Sequence, residues 1–116
     1  MKRFIGKRKL IRIFISNEEK CHGKPLWEHL LLKAKEMDIS GATVIKGVAG
    51  FGAHSEIMAF NVWSLSQKLP LIIEIIDTEE KITKFMRAAD DWIEEAFVTM
   101  TDVEVVAYKH PKHRHQ

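Results

Sequence analysis

A chain of 116 residues, 46% hydrophobic and 29% charged, has the size and balance of one globular domain, which excludes a disordered segment or a coiled coil. Its net charge of +2 is segregated: residues 1–12 hold six basic groups and residues 109–116 three, without acids, so residues 13–108 set nine bases against 16 acids, unlike the basic folded face of a duplex-binding protein. No apolar run reaches the ~20 residues that cross a bilayer, and the lone Cys21 excludes an internal disulfide and suits a reducing cytoplasm.

Leu10-Ile11-Arg12-Ile13-Phe14-Ile15 is a β-branched apolar run that predicts a buried strand. A turn-like stretch, Ser16 to Gly23, follows. Pro25 suits a first helical turn. Leu26, Leu30, Ala34 and Met37, widened by Trp27 and Leu31, then form the stripe of an amphipathic helix, with Gly41 as its break. Ala42 to Val48 predicts a second strand, and Ala49 to Lys68 is a long segment without period. Leu69-Pro70-Leu71-Ile72-Ile73-Glu74-Ile75-Ile76 is the strongest strand signal. Asp77-Thr78-Glu79-Glu80 supplies an N-cap and an acidic first turn. The stripe Ile82, Phe85, Met86, Ala89, Trp92, Ile93 and Ala96 predicts a helix running to residue 96. Phe97 to Val106 is a last strand, interrupted at Thr101-Asp102.

The order strand, helix, strand, strand, helix, strand implies an α+β, ferredoxin-like βαββαβ sandwich: a four-stranded antiparallel sheet with two helices on one face. A single domain is expected, with a core over residues 9–108, a basic extension over 1–8 and a mobile basic, His-rich tail over 109–116. The first and third strands are central and apolar on both sides. Two helices cover one face, so Leu10, Phe14, Ile72 and Ile76 remain on the other, where Arg12 and Glu74 can pair. An apolar patch of that kind predicts self-association.

A connection of about 20 residues between neighbouring strands is a functional candidate. It opens with Gly47-Val48-Ala49-Gly50-Phe51-Gly52, whose glycines free the backbone to approach an anion and to turn N–H groups inward. The pattern is neither the dinucleotide fingerprint nor a P-loop, and glycines at a strand end equally serve to permit sharp turns. Lys24, beside Pro25 at a helix start, is placed to reach a phosphate or to remain a surface lysine.

His22-Gly23-Lys24-Pro25-Leu26-Trp27-Glu28, Gly41 to Gly47, Gly50-Phe51-Gly52 and Leu65-Ser66 with Leu69-Pro70 run in the order and spacing of one family, and Asp77 to Ile82 and Val103-Glu104-Val105 extend the match. Over residues 9 to 108 the chain resembles the PII-like signalling family catalogued as domain of unknown function 190. That resemblance implies a homotrimer related in fold to the PII nitrogen-regulatory proteins, without catalysis. It implies an adenine nucleotide (AMP, ADP or ATP) in clefts between subunits, and a long 49–68 loop that reports its presence to a protein partner. The resemblance further implies that this partner is an enzyme or a membrane transporter, such as an ion exporter of the fluoride type. By position the phosphate-facing backbone is Gly47 to Gly52, with His54 and Lys24 as cationic groups. A neighbouring subunit closes the cleft with the turn near Ala96 and with Lys109, Lys112 and Arg114. Glu56 and Met58 stand where the family more often has a basic residue and a histidine.

Met58 and Phe60 are read either as an adaptable apolar docking surface for the partner or as packing against the sheet. The alternative function is a metal-responsive trimer resembling the CutA family, for which Cys21, His22 and His54 are the body's ligand candidates. An RNA-binding sandwich would need stacking aromatics beside bases on the open face, which is aliphatic. His110, His113 and His115 read as a solubilising tail, and Cys21-His22 lacks an orienting third group for catalysis. His29 falls on the polar side of the first helix. Asp90-Asp91 and Glu94-Glu95 read as exposed carboxylates, not tuned acids.

Overall fold

The computed structural model describes residues 5–53, 57–59 and 68–109. In chain order the elements are β1 (Gly6–Ser16), β2 (Lys20–Cys21), β3 (Lys24–Pro25), α1 (Leu26–Glu36), β4 (Gly41–Lys46), β5 (Ala49–Gly50), β6 (Met58–Ala59), β7 (Pro70–Asp77), α2 (Glu79–Ala89), a short 3-10 turn (Asp90–Trp92) and β8 (Phe97–Val105). The main sheet has the order β4-β7-β1-β8 and is antiparallel throughout. This is the expected βαββαβ sandwich, with β1 and β7 central.

Side chains on a strand alternate between faces, and burial follows this along β7 and, except at Leu10 and Ser16, which are buried on the other face, along β1. Ile11, Ile13 and Ile15 of β1 and Leu71, Ile73 and Ile75 of β7 are at most 4% exposed. They meet Leu26, Leu30 and Ala34 of α1 and Ile82, Phe85 and Ala89 of α2 in one core. The opposite face carries no helix among the described residues. There Arg12 Nε donates to Glu74 Oε2 at 2.8 Å, with Thr43 and Thr99 as their outer cross-strand neighbours. Leu10 opposite Ile76 lies on one side of this ion pair, and Phe14 between Ile72 and Phe97 on the other. The expected pairing of Arg12 with Glu74 is present.

Several boundaries differ from expectation. β1 begins at Gly6 and pairs Lys7 with Glu104 and Lys9 with Asp102, so part of the basic start is strand stabilised by opposite charges across it. The same pairing keeps β8 unbroken through Thr101-Asp102. The Lys9 ammonium donates to Asp102, and this hydrogen bond raises the lysine pKa and lowers that of the carboxyl. Helix α2 ends at Ala89 rather than Ala96. Asp90 and Asp91 set negative charge at the negative end of the helix dipole, and Ile93 is already extended. Helix α1 is stopped by Asp38, which takes the left-handed conformation (φ 58°) while Ile39 N–H bonds to Ala34 O, so Gly41 is free to open β4. His22 (φ 53°) and Gly23 (φ 80°) form a two-residue hairpin turn between β2 and β3, a tight turn that requires positive φ at both positions.

Asp77 closes the far end of the sheet. It is 3% exposed, accepts Ser40 N–H at 2.8 Å and Thr78 N–H at 2.7 Å, and faces Lys81 Nζ at 3.7 Å. Asp77→Ala removes the acceptor of two backbone donors, while Lys81 keeps its hydrogen bond to Asp38 O. The expected loss is about 2–4 kcal/mol, read as a lower urea midpoint at unchanged slope.

Candidate functional site

Every strand end of the sheet has a neighbour in register, which fixes where the sequence candidates lie. Ser16 at the end of β1 faces Pro70 at the start of β7, and Lys46 at the end of β4 faces Leu71. Phe97 at the start of β8 faces Phe14. The β2–β3 hairpin leaves this same end through Glu19 N–H to Ser16 O (3.3 Å) and Leu26 N–H to Glu19 O (2.8 Å). Lys24, Gly47–Gly52, Pro70 and Phe97 therefore belong to one end of the sandwich.

The glycine segment crosses that end. Gly47 N–H donates to Pro70 O at 2.8 Å, and a Cβ on Gly47 would stand 2.9 Å from Pro70 Cγ, so glycine there is imposed by packing on the proline ring. A Cβ on Gly50 would lie 3.6 Å from Pro70 Cγ, and one on Gly52 would lie 3.7 Å from Phe97 Cβ, both ordinary contacts. The segment thus runs from β7 past β1 to β8. Gly50 pairs with Met58 and Ala49 with Ala59, so the expected structureless loop has a short ladder at its base. Val48 (77%) and Phe51 (74%) face outward, and Lys24 is exposed.

Two expectations for this segment change. A nest of inward N–H groups needs left-handed residues, yet Gly47, Gly50 and Gly52 all lack positive φ, and the Gly47 N–H is occupied by Pro70. The backbone available to an anion is thereby reduced to the stretch after Gly47. Of the two readings of Met58, docking surface or packing, burial favours packing: it is only 5% exposed and stands opposite Gly50 in the β5–β6 ladder. Phe60 and His54 lie outside the described residues, as do Lys112 and Arg114. Ala96 and Lys109 flank opposite ends of β8 and are not brought together within one chain.

Sequence reasoning missed two surface features. A cleft of about 560 Å³ at the opposite end, roughly 23 Å along β1, is lined by Lys7, Arg8, Lys9, Thr78, Asp102 and Glu104. It mixes three bases with acids, Lys9 and Asp102 are already paired, and Glu79 occupies the helix start beside it. A shallower groove, about 490 Å³, lies between α2 and β8 and exposes Val98 and Met100, because the two helices do not reach across the edge strand. Strand alternation placed both residues on the helix side; only the width of the helix layer leaves them open.

His29 is half-buried instead of solvated. The 3-10 turn sets Trp92 at 5.5 Å from its ring and His22 lies at 6.2 Å, while its Nε2 is sealed without a hydrogen-bond partner among the described residues. Cys21 is buried and His22 exposed, and no group of three metal-ligating side chains occurs among the described residues. Asp90, Asp91, Glu94 and Glu95 are exposed, as read. No described helix is long and apolar enough to cross a membrane.

Comparison with known proteins adds a family and a fold. The DUF190 model, described as an uncharacterised ACR, matches residues 8–105. A UPF0166 protein of Aquifex aeolicus is 42% identical over 102 residues, covering 88% of this chain and 96% of that one. A UPF0166 protein of Methanocaldococcus jannaschii is 36% identical over 80 residues, 69% and 73% of the two chains. Among solved structures, CPII of Thiomonas intermedia, a nitrogen regulatory PII-like protein bound to ADP, AMP and bicarbonate, superposes with a TM-score of 0.67 at 14% identity over 90% of this chain and 93% of CPII. A candidate PII-like signalling protein of Thermus thermophilus gives 0.62 at 17% identity, over 89% and 93%. The sandwich is thus a PII-like fold.

Proposed function

The chain belongs to the DUF190 family, and from that membership we propose that it is a non-enzymatic, PII-like regulatory protein that binds an adenine nucleotide at the Gly47–Gly52 loop base. The observation that carries the reading is a fold shared over nine-tenths of the chain with CPII, whose structure holds ADP and AMP. Two local features support it. The loop base lies at a sheet end, with Val48, Ala49, Phe51 and Gly52 exposed, Gly50 half-buried and the exposed Lys24 at the same end. Beside it stands the helix-free sheet face with Phe14, Ile72 and Ile76, all half-buried in one chain. Covering that face with a second and a third copy removes apolar area from water and turns the open loop base into a cleft between subunits.

Within such a homotrimer, Val48, Ala49, Gly50, Phe51 and Gly52 present backbone to the phosphates, and Lys24 and His54 add charge. The nucleotide then biases the 49–68 loop, whose apolar residues, Phe60 among them, engage a protein partner such as a membrane transporter. A few kcal/mol of differential contact suffices to shift a loop of this length between two states. The reading places the protein in the cytoplasm.

Isothermal titration calorimetry against AMP, ADP and ATP, with and without magnesium, tests the proposal. Saturable binding near one nucleotide per chain is the expected result. Heats of dilution for all three nucleotides would remove nucleotide sensing and leave only the fold.

A further inference from the structure

Strand β8 is an edge of the sheet: among the described residues it pairs with β1 alone. In an antiparallel pair alternate residues direct their N–H and C=O groups to the partner strand, so the others present theirs outward. Edges of this kind are commonly guarded by lysine, proline or a bulge, because they accept further strands. The register with β1 is unbroken from Phe97 to Val105, so no bulge turns this edge away. Phe97-Val98-Thr99-Met100-Thr101 contains neither a charge nor a proline. Alongside the edge lies the groove of about 490 Å³ between β8 and α2. Val98 and Met100, 43% and 54% exposed, continue the cross-strand rows of Ile13 and Ile11 outward, and Ile82 and Met86 line the groove from α2. One end of it is acidic. Asp90 lines the groove, and the connection from Asp90 to β8 adds Asp91, Glu94 and Glu95, all exposed, while Arg87 is the base on the rim. The C-terminus of α2 sets the negative end of its dipole beside Asp90.

We propose that β8 and α2 form a docking groove for an extended, cationic-ended peptide segment of a partner protein, which joins the sheet beside β8 as an added strand. Main-chain hydrogen bonds to the β8 edge hold the segment, and its alternate side chains enter the groove against Val98, Met100 and Met86. Two methionines among these contacts adapt to side chains of differing shape. A lysine or arginine at the end of the segment meets the carboxylates of Asp90, Asp91, Glu94 and Glu95. A second copy offers no such match through its own β8. Antiparallel pairing of two β8 edges brings each acidic connection toward the Asp102 and Glu104 end of the other, acid toward acid. This surface goes beyond the nucleotide reading and stands without it.

The test is fluorescence anisotropy of a labelled synthetic peptide, valine alternating with threonine between lysine ends, titrated with the full chain in the absence of nucleotide. Saturable binding is the expected result. The same peptide with glutamate ends should bind about tenfold more weakly, because like charges then meet. A peptide methylated at its backbone nitrogens keeps its side chains but loses its donors, and should weaken by a similar factor. Val98→Lys places a guarding cation on an exposed edge position and should weaken the lysine-ended peptide likewise, with circular dichroism unchanged. If that variant does not fold, Met100→Lys carries the same expectation. Absence of binding by the lysine-ended peptide overturns the proposal, as does binding indifferent to end charge or to backbone methylation. A changed assembly mass in the lysine variant also overturns it, because the edge is then a contact between copies.

Discussion

Replacing Ile72 by aspartate is expected to turn the proposed trimer into monomers while the chain stays folded. Ile72 is half-buried on the helix-free face, opposite Phe14 on one side and Ile45 on the other. Its side chain makes no part of the core between sheet and helices, which is built from Leu71, Ile73 and Ile75 of the same strand. In a single chain the aspartate therefore remains hydrated. At an interface it would be buried without a partner, two residues from Glu74, whose charge is already matched by Arg12. Burying an unpaired carboxylate costs several kcal/mol per subunit, far more than one isoleucine contributes by area. A loss of at least a thousandfold in association follows, seen as monomer mass at concentrations where the wild type is assembled. A variant of unaltered mass and unaltered circular dichroism would mean that the subunits meet elsewhere, the exposed Val98 and Met100 groove beside α2 being the next surface to test.

The second large effect is expected at Gly50. Its backbone lacks positive φ and is paired with Met58, so valine suits the local conformation, and the nearest atom to a new Cβ is Pro70 Cγ at 3.6 Å. The branched methyl groups then add bulk, beside the Pro70 ring, to the segment that the phosphates are proposed to approach. Gly50→Val should weaken nucleotide binding by two orders of magnitude or more in calorimetry, about 3 kcal/mol, with assembly and melting temperature preserved. Gly47→Val is the informative contrast. There the Cβ meets Pro70 Cγ at 2.9 Å, so that substitution displaces the segment itself and lowers stability together with binding. Undiminished affinity in Gly50→Val would place the ligand away from the loop base.

The pattern of strands and helices was legible because burial here follows simple periods. Ile11, Ile13 and Ile15 alternate with Arg12 and Phe14, and the central position of β1 and β7 follows from their being apolar on both faces. The Arg12–Glu74 pair was legible for the same reason: one charge on each of two adjacent strands, with matching parity, has no other partner at that depth. What escaped depended on tertiary partners. Helix α2 shows an unbroken stripe to Ala96, but two aspartates at its end and the pull of Trp92 toward His29 end it at Ala89. Thr101-Asp102 looks like a turn until Lys9 is set across from it.

The candidate site was legible in part. The glycines marked the right segment, but the sequence could not separate Gly47, fixed by the Pro70 ring, from Gly50 and Gly52, which have room. Nor could it show that Met58 would be held by a two-residue ladder, or that the Phe97 ring would meet Phe14 edge to face. Those relations join residues far apart in the chain and leave no local period.

Hydrogen–deuterium exchange with and without ADP tests the central claim most directly, because it reports where the nucleotide acts. Val48 to Gly52 should gain protection on ADP addition, with the amides of β5 and β6 following as the ladder is held. Unchanged exchange across residues 47–53 at saturating ADP, or protection confined to Lys7–Lys9 and Thr78 at the opposite cleft, would contradict the assignment of the loop base as the nucleotide site.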